Sequence, residues 1–427
     1  MGEILAPGIT QVSLQTSSSP TSKMISIKSL AESPNLTSIP ASYTFSIDPN
    51  HDHPTLLEQP EVQIPVIDFS LLVSGSPDQR SKVIDELSKA CENWGFFIVT
   101  NHGVPESLMD GVIDGCRDFF DLSEEEKMEF VGKDVLDPIR CGTSFNASKE
   151  NVFYWRDFLK KPIGPPPPQP PGLTRYGSAP SSLIATAVDT IIGAECEFGA
   201  NLRSPSLLGG EHDHGHSHSH GHYFSGDSSS ITPSQPASDI ALEYCKRIRA
   251  IVKEISKGIA ESLGLEANYI SKAMNLESSF QIFIANWYPP CPQPELAMGL
   301  PPHSDHGLLT LLTQNGIGGL QIQHNGKWVN VNSFPNSFLV NTGDHLEILS
   351  NGKYKSVVHQ AVVNRDSTRI SLAIANGPSH DTVVTPAPEL VKSHPPAYGG
   401  IKYKEYIQLQ QSNNLNGKSI LNRIRSL

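Results

Sequence analysis

The sequence lacks the features that mark several large classes of protein. Its six cysteines include no CxxC pair, and no stretch reaches the roughly 18 apolar residues that a membrane helix needs. Basic residues are also in deficit, 32 against 44 acidic ones, for a net charge of −12. A disulfide scaffold, a membrane-spanning protein and a general nucleic-acid binder are therefore disfavoured. We expect a small organic molecule as partner, with no nucleic acid and no membrane.

Cysteine spacing and the start of the chain bear on localisation. Scattered cysteines are typical of a reducing compartment. The first 23 residues are rich in Ser and Thr with one acidic residue, Glu3, which suits a plastid leader, but they contain no Arg. We predict a cytoplasmic protein, with plastid targeting as the open alternative, and a monomer.

Composition separates folded from low-complexity segments. KPIGPPPPQPPG (161–172) and EHDHGHSHSHGH (211–222) carry too few apolar residues to build a core, so we predict disorder there. The predicted organisation is an N-terminal extension (1–60), a mixed α+β N-terminal domain (61–160), a Pro-, His- and Ser-rich insertion (161–237), a catalytic domain (238–400) and a helical C-terminal tail (401–427).

The histidine run within the insertion leaves two interpretations open. Alternate imidazoles on a flexible chain could collect zinc, copper or nickel. The simpler interpretation is a solvated low-complexity loop, or intron sequence translated from a faulty gene model. A short helix is predicted at 183–192.

Hydrophobic periodicity indicates an α+β fold. PVIDFSLL (65–72) and GFFIVTNHG (95–103) are predicted strands, and apolar residues recur every three or four positions from Ile240 to Leu263, predicting a long helix closed by Gly264. Six short strand candidates follow, one of which contains a tight hairpin turn at Asn325-Gly326, and this pattern is typical of a jelly-roll or small barrel. They are QIFIANWYP, LLTLLTQN, GLQIQHNGKWVNV (which holds the Asn-Gly turn), SFLVNTGD, YKSVVHQAVV and RISLAIANGP.

PPHSDHGLLT (301–310) contains two candidate metal ligands, His303 and Asp305. On a strand, residues i and i+2 point to the same face, so the two side chains would project together. His359, in YKSVVHQAV, is the third candidate. Two histidines and one carboxylate suit iron(II) with open coordination positions, and zinc is the rival metal.

Two further same-face pairs accompany these candidates. Arg369 and Ser371, in STRISLA, offer a planar fork for a carboxylate and an added hydrogen bond. Asn286 and Tyr288, in NWYPPC, lie upstream. The combined set suits a small dicarboxylate bound at one end to the metal and at the other to arginine.

These motifs resemble a known family. NWYPPCPQPELAMGLPPHSDHGLLTLL, the HxD…H spacing and RxS resemble the plant iron(II)/2-oxoglutarate-dependent dioxygenases, which include flavonol synthase, anthocyanidin synthase and gibberellin oxidases. IPVIDFSLL and ACENWGFFIVTNHGVP resemble the N-terminal domain of that family. The resemblance covers roughly 40–160 and 238–425 and implies a double-stranded β-helix (jelly-roll) core.

The resemblance also implies cofactors and chemistry. His303, Asp305 and His359 would hold iron(II), while Arg369 and Ser371 would grip 2-oxoglutarate with help from Tyr288 and Asn286. Ascorbate would act as reductant, and molecular oxygen would be consumed as 2-oxoglutarate becomes succinate and carbon dioxide. The organic product would be hydroxylated or desaturated. A metal-sequestering binding protein and an ascorbate-using oxidase of the same fold are the alternatives.

Four other histidines lie near the motifs without ligand spacing. His102 is predicted to be structural, at a turn, and His306, His324 and His345 are predicted to lie at the surface or behind the ligands. The resembled family often has proline at the position of His306 and glutamine at that of His345.

Overall fold

The computed structural model describes residues 26–45, 63–131, 137, 139–145, 149–164, 237–279, 281–392, 394–412 and 417–426. The predicted histidine run and the helix at 183–192 lie outside the described residues. No helix in the described ranges is long and apolar enough to cross a membrane.

Helices and strands alternate in the first part of the described chain, and strands dominate after the long helix. The helices are α1 (Ile27–Ala31), α2 (Phe69–Ser74), α3 (Pro77–Asn93), α4 (Glu106–Asp121), α5 (Glu124–Lys127), α6 (Ala237–Ser262), α7 (Tyr269–Ala273), α8 (Asp344–Leu349), α9 (Tyr403–Ser412) and α10 (Ser419–Arg423). The strands are β1 (Val66–Asp68), β2 (Phe96–Thr100), β3 (Arg140–Thr143), β4 (Asp157–Ile163), β5 (Gln281–Tyr288), β6 (Leu300–His303), β7 (Leu309–Gln314), β8 (Leu320–His324), β9 (Lys327–Val331), β10 (Phe338–Thr342), β11 (His359–Ala361), β12 (Arg369–Asn376), β13 (Val383–Val384) and β14 (Ile401–Lys402).

The larger sheet combines strands from both ends of the chain. Its order is β1-β2-β10-β7-β12-β5-β4-β3, and β1 with β2 is its parallel pair. Strand β4 pairs with β5 along its whole length, so residues 161–163, assigned to the insertion from sequence, belong to this sheet. The strands of the predicted N-terminal domain thus continue the sheet that carries β5 and β12.

The smaller sheet has the order β6-β11-β8-β9 and packs on the larger one. A buried cluster joins Ile322 and Val329 of the small sheet to Ile98 and Leu339 of the large sheet. The β8–β9 hairpin turns at Asn325-Gly326 with φ of 51° and 77°, as predicted from sequence. Two facing sheets of this kind form the predicted jelly-roll core.

Helix α6 supports the large sheet from outside. Its apolar face buries Ile248 and Ile255 in the same core as Leu87 of α3 and Val112 of α4. Gly264 ends the helical segment with φ of +73°, a conformation that costs glycine little. The predicted helix is therefore confirmed.

The predicted strand PVIDFSLL is shorter in the structure. Strand β1 ends at Asp68, whose side chain accepts hydrogen bonds from the amides of Ser70 and Leu71 and so caps α2. The aspartate supplies an acceptor for orphan helical amides, which overrides the strand propensity of the residues after it.

Both ends of the described chain pack against the sheets. Ile27, at the start of α1, is buried in one cluster with Tyr288, and its amide donates to Asp157 Oδ1 at 2.9 Å. At the other end, α9 buries Tyr403 and lies against the loop after β6, where Gln410 Nε2 donates to the Ser304 carbonyl at 2.9 Å. The tail forms helices, as predicted.

Candidate active site

Adjacent strands of the small sheet bring the candidate metal ligands together. His303 ends β6, His359 begins β11, and the two residues are direct cross-strand partners. Asp305 lies beyond the end of β6, in the turn before β7, so the prediction that it shares a strand face with His303 is wrong. The turn nevertheless returns its carboxylate to the two imidazoles.

The three side chains converge on one point. Asp305 Oδ1 lies 3.6 Å from His303 Nε2 and 3.7 Å from His359 Nε2, and one donor atom from each residue fits within 4.8 Å of the others. His303 Nδ1–H donates to the Pro301 carbonyl at 2.8 Å and His359 Nδ1–H to the Val357 carbonyl at 3.3 Å. Those bonds select the tautomer whose Nε2 lone pair faces Asp305.

Protonation states at this cluster suit a cation. Burial, helped by His359, lowers the pKa of His303 to about 3, so its imidazole is neutral at physiological pH. Burial alone would raise the pKa of Asp305, but the two histidines and hydrogen-bond donors outweigh it and lower the pKa to about 2. A neutral imidazole and an ionised carboxylate are the forms that bind metal.

Asn341 of β10 supports the carboxylate from the large sheet. Its Nδ2 donates to Asp305 Oδ2 at 2.9 Å, which leaves Oδ1 directed at the histidines. Sequence analysis missed this residue. The available signal was an amide directly after the apolar run FLV of a predicted strand, and in the structure all five residues of β10 are buried.

The cosubstrate candidates lie on the large sheet as two cross-strand pairs. Arg369 faces Tyr288 and Ser371 faces Asn286 across β12 and β5. The Arg369 side chain is 2% exposed. The turn before β12 carries the chain from the small sheet to the large one, so Arg369 and His359 line the cavity from different sheets.

Neutral groups surround the Arg369 guanidinium. Its Nε and Nη2 donate to Gln314 Oε1 at 3.2 and 2.8 Å, and its carbon lies 5.0 Å from the Tyr288 ring centroid. No carboxylate within the described residues lies in ion-pair distance of it. A buried arginine with neutral partners is suited to an incoming carboxylate.

Asn286 is held on two sides. Its Oδ1 accepts from Arg156 Nη1 at 2.9 Å, and its Nδ2 donates to Ser371 Oγ at 3.3 Å. One Nδ2 hydrogen stays available for a ligand, so the predicted contact between Asn286 and the cosubstrate stays a prediction.

One cavity between the sheets connects all seven predicted site residues. The metal-ligand candidates and the two cross-strand pairs line it together with residues from β4 and from α9, and the lining residues that bear on the site are His303, Asp305, His359, Arg369, Ser371, Tyr288, Asn286, Arg156, Lys160 and Gln411. The donor set of two imidazoles and one carboxylate fits iron(II), with coordination positions left for a cosubstrate and oxygen.

The other four histidines considered from sequence lie outside the cluster of metal-ligand candidates. His102 Nδ1 accepts from the Val104 amide and its Nε2 contacts the Asn336 carbonyl, as predicted. His306 and His345 are 7% and 0% exposed, so of the two predicted positions the surface is excluded and the position behind the ligands remains. His306 Nδ1 pairs with the Tyr403 hydroxyl at 2.8 Å, while the half-buried His324 stacks on Trp94.

Comparison with known proteins agrees with the iron(II) and carboxylate sites that the geometry indicates. Residues 279–378 match the 2OG-Fe(II) oxygenase superfamily, and residues 64–180 match the family described as non-haem dioxygenase in morphine synthesis N-terminal. The 2-oxoglutarate-dependent dioxygenase 19 of Oryza sativa subsp. japonica is 40% identical over 370 residues, 86% of this chain and 91% of that protein. Flavanone 3-dioxygenase 2 of the same organism is 33% identical over 383 residues, covering 89% and 93%.

A solved structure extends the likeness to three dimensions. The crystal structure of JOX2 in complex with 2OG, Fe, and JA superposes with a TM-score of 0.70 at 27% identity, covering 95% of this chain and 98% of that one. The chain therefore belongs to the 2OG-Fe(II) oxygenase superfamily and is a plant-type dioxygenase that uses iron(II) and 2-oxoglutarate.

Proposed function

We propose that His303, Asp305 and His359 hold the iron(II) and that Arg369 and Ser371 bind the distal carboxylate of 2-oxoglutarate during oxidation of a small plant metabolite. The observation that carries this proposal is the placement of the three ligand candidates, within 4.8 Å of one another, in the cavity that Arg369 enters from the opposite sheet.

The protein residues supply binding, orientation and charge. Bound iron(II) and 2-oxoglutarate supply the oxygen activation, with 2-oxoglutarate converted to succinate and carbon dioxide. Arg369 offers its unused guanidinium donors to the carboxylate, and the Tyr288 ring beside it keeps the fork in place. The β6–β11 pairing fixes the spacing of the two histidines, so little ordering remains for metal binding.

Hydroxylation is the proposed outcome for the organic substrate, with desaturation as the variant of the same chemistry. We also propose a cytoplasmic monomer, with Asn286 and Tyr288 assisting 2-oxoglutarate and ascorbate keeping the iron reduced. The five cysteines in the described ranges are buried and form no disulfide, which agrees with a reducing compartment.

Coupled measurement of oxygen uptake and succinate release tests the proposal. Purified protein with iron(II), ascorbate and 2-oxoglutarate should release succinate in proportion to oxygen consumed, and a plant extract should raise both rates. Mass spectrometry of the extract should then show a compound that has gained one oxygen atom or lost two hydrogens. Oxygen uptake without succinate would favour the ascorbate oxidase, and neither signal would favour the binding protein.

A further inference from the structure

A second group of cations faces the same cavity from β4. Arg156 directly precedes the strand, and Phe158 and Lys160 follow at alternate positions, so the three side chains share a face. All three line the cavity. Arg156 is 4% exposed, and Lys160 is partly exposed to the cavity.

The hydrogen-bond partners of both cations are neutral. Arg156 Nε donates to the Ser144 carbonyl at 3.0 Å and its Nη1 to Asn286 Oδ1 at 2.9 Å. Lys160 Nζ donates to Gln411 Oε1 at 3.1 Å. Within the described residues, no carboxylate lies within ion-pair distance of either cation.

The charges of the proposed iron centre do not compensate these cations. Iron(II), the Asp305 carboxylate, the two carboxylates of 2-oxoglutarate and the Arg369 guanidinium sum to zero. Among the described residues that line the cavity, Asp305 is the one acid. Arg156 therefore remains as surplus positive charge in a site of low dielectric, where an unpaired charge is costly. Burial, with the charges of Arg140 and Arg156, lowers the pKa of Lys160 to about 7, and an anion beside Lys160 would favour its charged form.

The two cations lie between the cosubstrate residues and the metal-ligand candidates. Lys160 donates to Gln411, and the adjacent Gln410 donates to the carbonyl of Ser304, the residue between His303 and Asp305. Arg156 donates to Asn286, and both cations line the cavity together with the metal-ligand candidates. An anion between the two cations would thus lie close to the metal ligands, where the organic substrate must react.

The remaining walls suit an apolar molecule. Aromatic and aliphatic side chains from β2, β4, β7, β8 and the loop after β3 face the same space, and they are Phe96, Phe145, Phe158, Leu312 and Leu320. Flat rings and branched aliphatic side chains favour a ligand with an aromatic or alicyclic body.

We propose that Arg156 and Lys160 bind the negatively charged group of the organic substrate, which assigns the substrate to the small organic acids with an apolar body. The proposal rests on the function proposed above. The planar guanidinium of Arg156 would donate hydrogen bonds to the acidic group in the plane of that group, and the ammonium of Lys160 would add a compact positive charge.

Matched acids and amides test this assignment. The full-length protein is loaded with iron(II) and 2-oxoglutarate under nitrogen, and binding of benzoate, phenylacetate and cinnamate is compared with that of their primary amides by calorimetry. At least one acid should bind more tightly than about 1 mM, with its amide at least about tenfold weaker. Binding of 2-oxoglutarate to the same samples is measured first.

Substitutions at one position separate charge from packing. Lys160→Met removes the charge but keeps an unbranched side chain, so the affinity for the acid should fall at least about tenfold and that for the amide should change less than about twofold. Lys160→Arg keeps the positive charge, so its affinity for the acid should stay within about threefold of that of wild type. Lys161→Met is the matched control, because Lys161 follows on β4 but is not among the cavity-lining residues, and it should behave as wild type.

Three results would overturn the assignment. These are amides binding as tightly as acids, no acid binding below about 1 mM, or a loss of 2-oxoglutarate affinity in Lys160→Met that matches the loss for acids. The last result would assign the cations to the cosubstrate. Failure of wild-type protein to bind 2-oxoglutarate would instead contradict the proposed function itself, so the two failures are distinguishable.

Discussion

Arg369 and Tyr288 are direct cross-strand neighbours in β12 and β5, and the guanidinium carbon lies 5.0 Å from the centre of the ring. The ring covers one face of the guanidinium, while Gln314 occupies two of its donors. The donors that remain are those available to a carboxylate in the cavity. This arrangement explains why an arginine can be buried here without an ion pair inside the described residues.

Arg369→Lys should therefore weaken the binding of 2-oxoglutarate more than that of the organic substrate. The charge is kept, but loss of one charge-assisted hydrogen bond should raise the KM for 2-oxoglutarate about 10- to 150-fold. The KM for the organic substrate should change much less. Succinate release at varied 2-oxoglutarate measures the first, with Arg365→Lys as control because Arg365 is an exposed arginine in the preceding turn. Equal rises in both constants would show that Arg369 is not the carboxylate anchor.

Asn341→Ala should lower the affinity for iron(II), although Asn341 is not itself a metal-ligand candidate. Removal of the amide that holds Asp305 Oδ2 frees the carboxylate to rotate, so iron(II) affinity should fall about 10- to 100-fold. Anaerobic iron titration measures the effect. Asn330→Ala is the control, since Asn330 bonds Gln321 on the β8–β9 hairpin and should leave iron affinity unchanged. Wild-type affinity in Asn341→Ala would mean that Asp305 needs no such support.

His345→Gln should make the protein more resistant to acid. Burial, with a contribution from His306, lowers the pKa of His345 from 6.5 to about 3. Below pH 6.5 His345 is protonated in the unfolded state, whereas in the folded state it stays neutral until about pH 3. The free energy of unfolding therefore decreases as the pH falls from 6.5 to about 3.

Glutamine can accept the hydrogen bond that the Gly307 amide donates to His345 Nδ1, but it does not titrate. The variant should therefore match wild type at about pH 7.5 and gain about 2 kcal/mol in free energy of unfolding relative to it at about pH 5. Denaturant unfolding at both pH values measures this. A constant difference between the two proteins at both values would rule out titration of His345 as the cause.

Removing the insertion should leave catalysis intact. Strand β4 ends at Ile163 and α6 begins at Ala237, so residues 172–236 can be replaced by a Gly-Ser linker without altering either element. Because long surface insertions cost little beyond loop entropy, the melting temperature and succinate release should stay near wild type, and divalent-metal binding outside the active site should disappear with the histidine run. A large fall in melting temperature with loss of turnover would show that the insertion packs on the core.

The sequence predicted which polar side chains would lie together on two of the strands. Arg369 and Ser371 with Asn286 and Tyr288 were expected as same-face pairs, and the register of β12 on β5 places them as neighbours. The period-2 argument failed for Asp305, because β6 ends at His303 and a turn directs the carboxylate. Local spacing indicates shared faces but does not indicate where a strand ends.

Residues contributed by distant segments escaped the sequence analysis. Asn341 of β10 donates to Asp305, and Gln411 of α9 accepts from Lys160. Such contacts depend on the order of strands in the sheet and on how α9 packs, not on spacing in the sequence. Arg156 and Lys160 were detectable in principle. They alternate with apolar residues in YWRDFLKK, and cations on an otherwise apolar strand face indicate a ligand or a buried partner.

Iron content and succinate formation by Asp305→Ala test the central assignment most directly. Wild type should bind about one iron(II) per chain and release succinate only when 2-oxoglutarate is present. Asp305→Ala leaves two imidazoles 4.2 Å apart between ring centroids, and should lose both tight iron binding and succinate release, whereas Asp366→Ala, at an exposed turn, should retain them. Wild-type iron content and succinate release in Asp305→Ala would contradict the account.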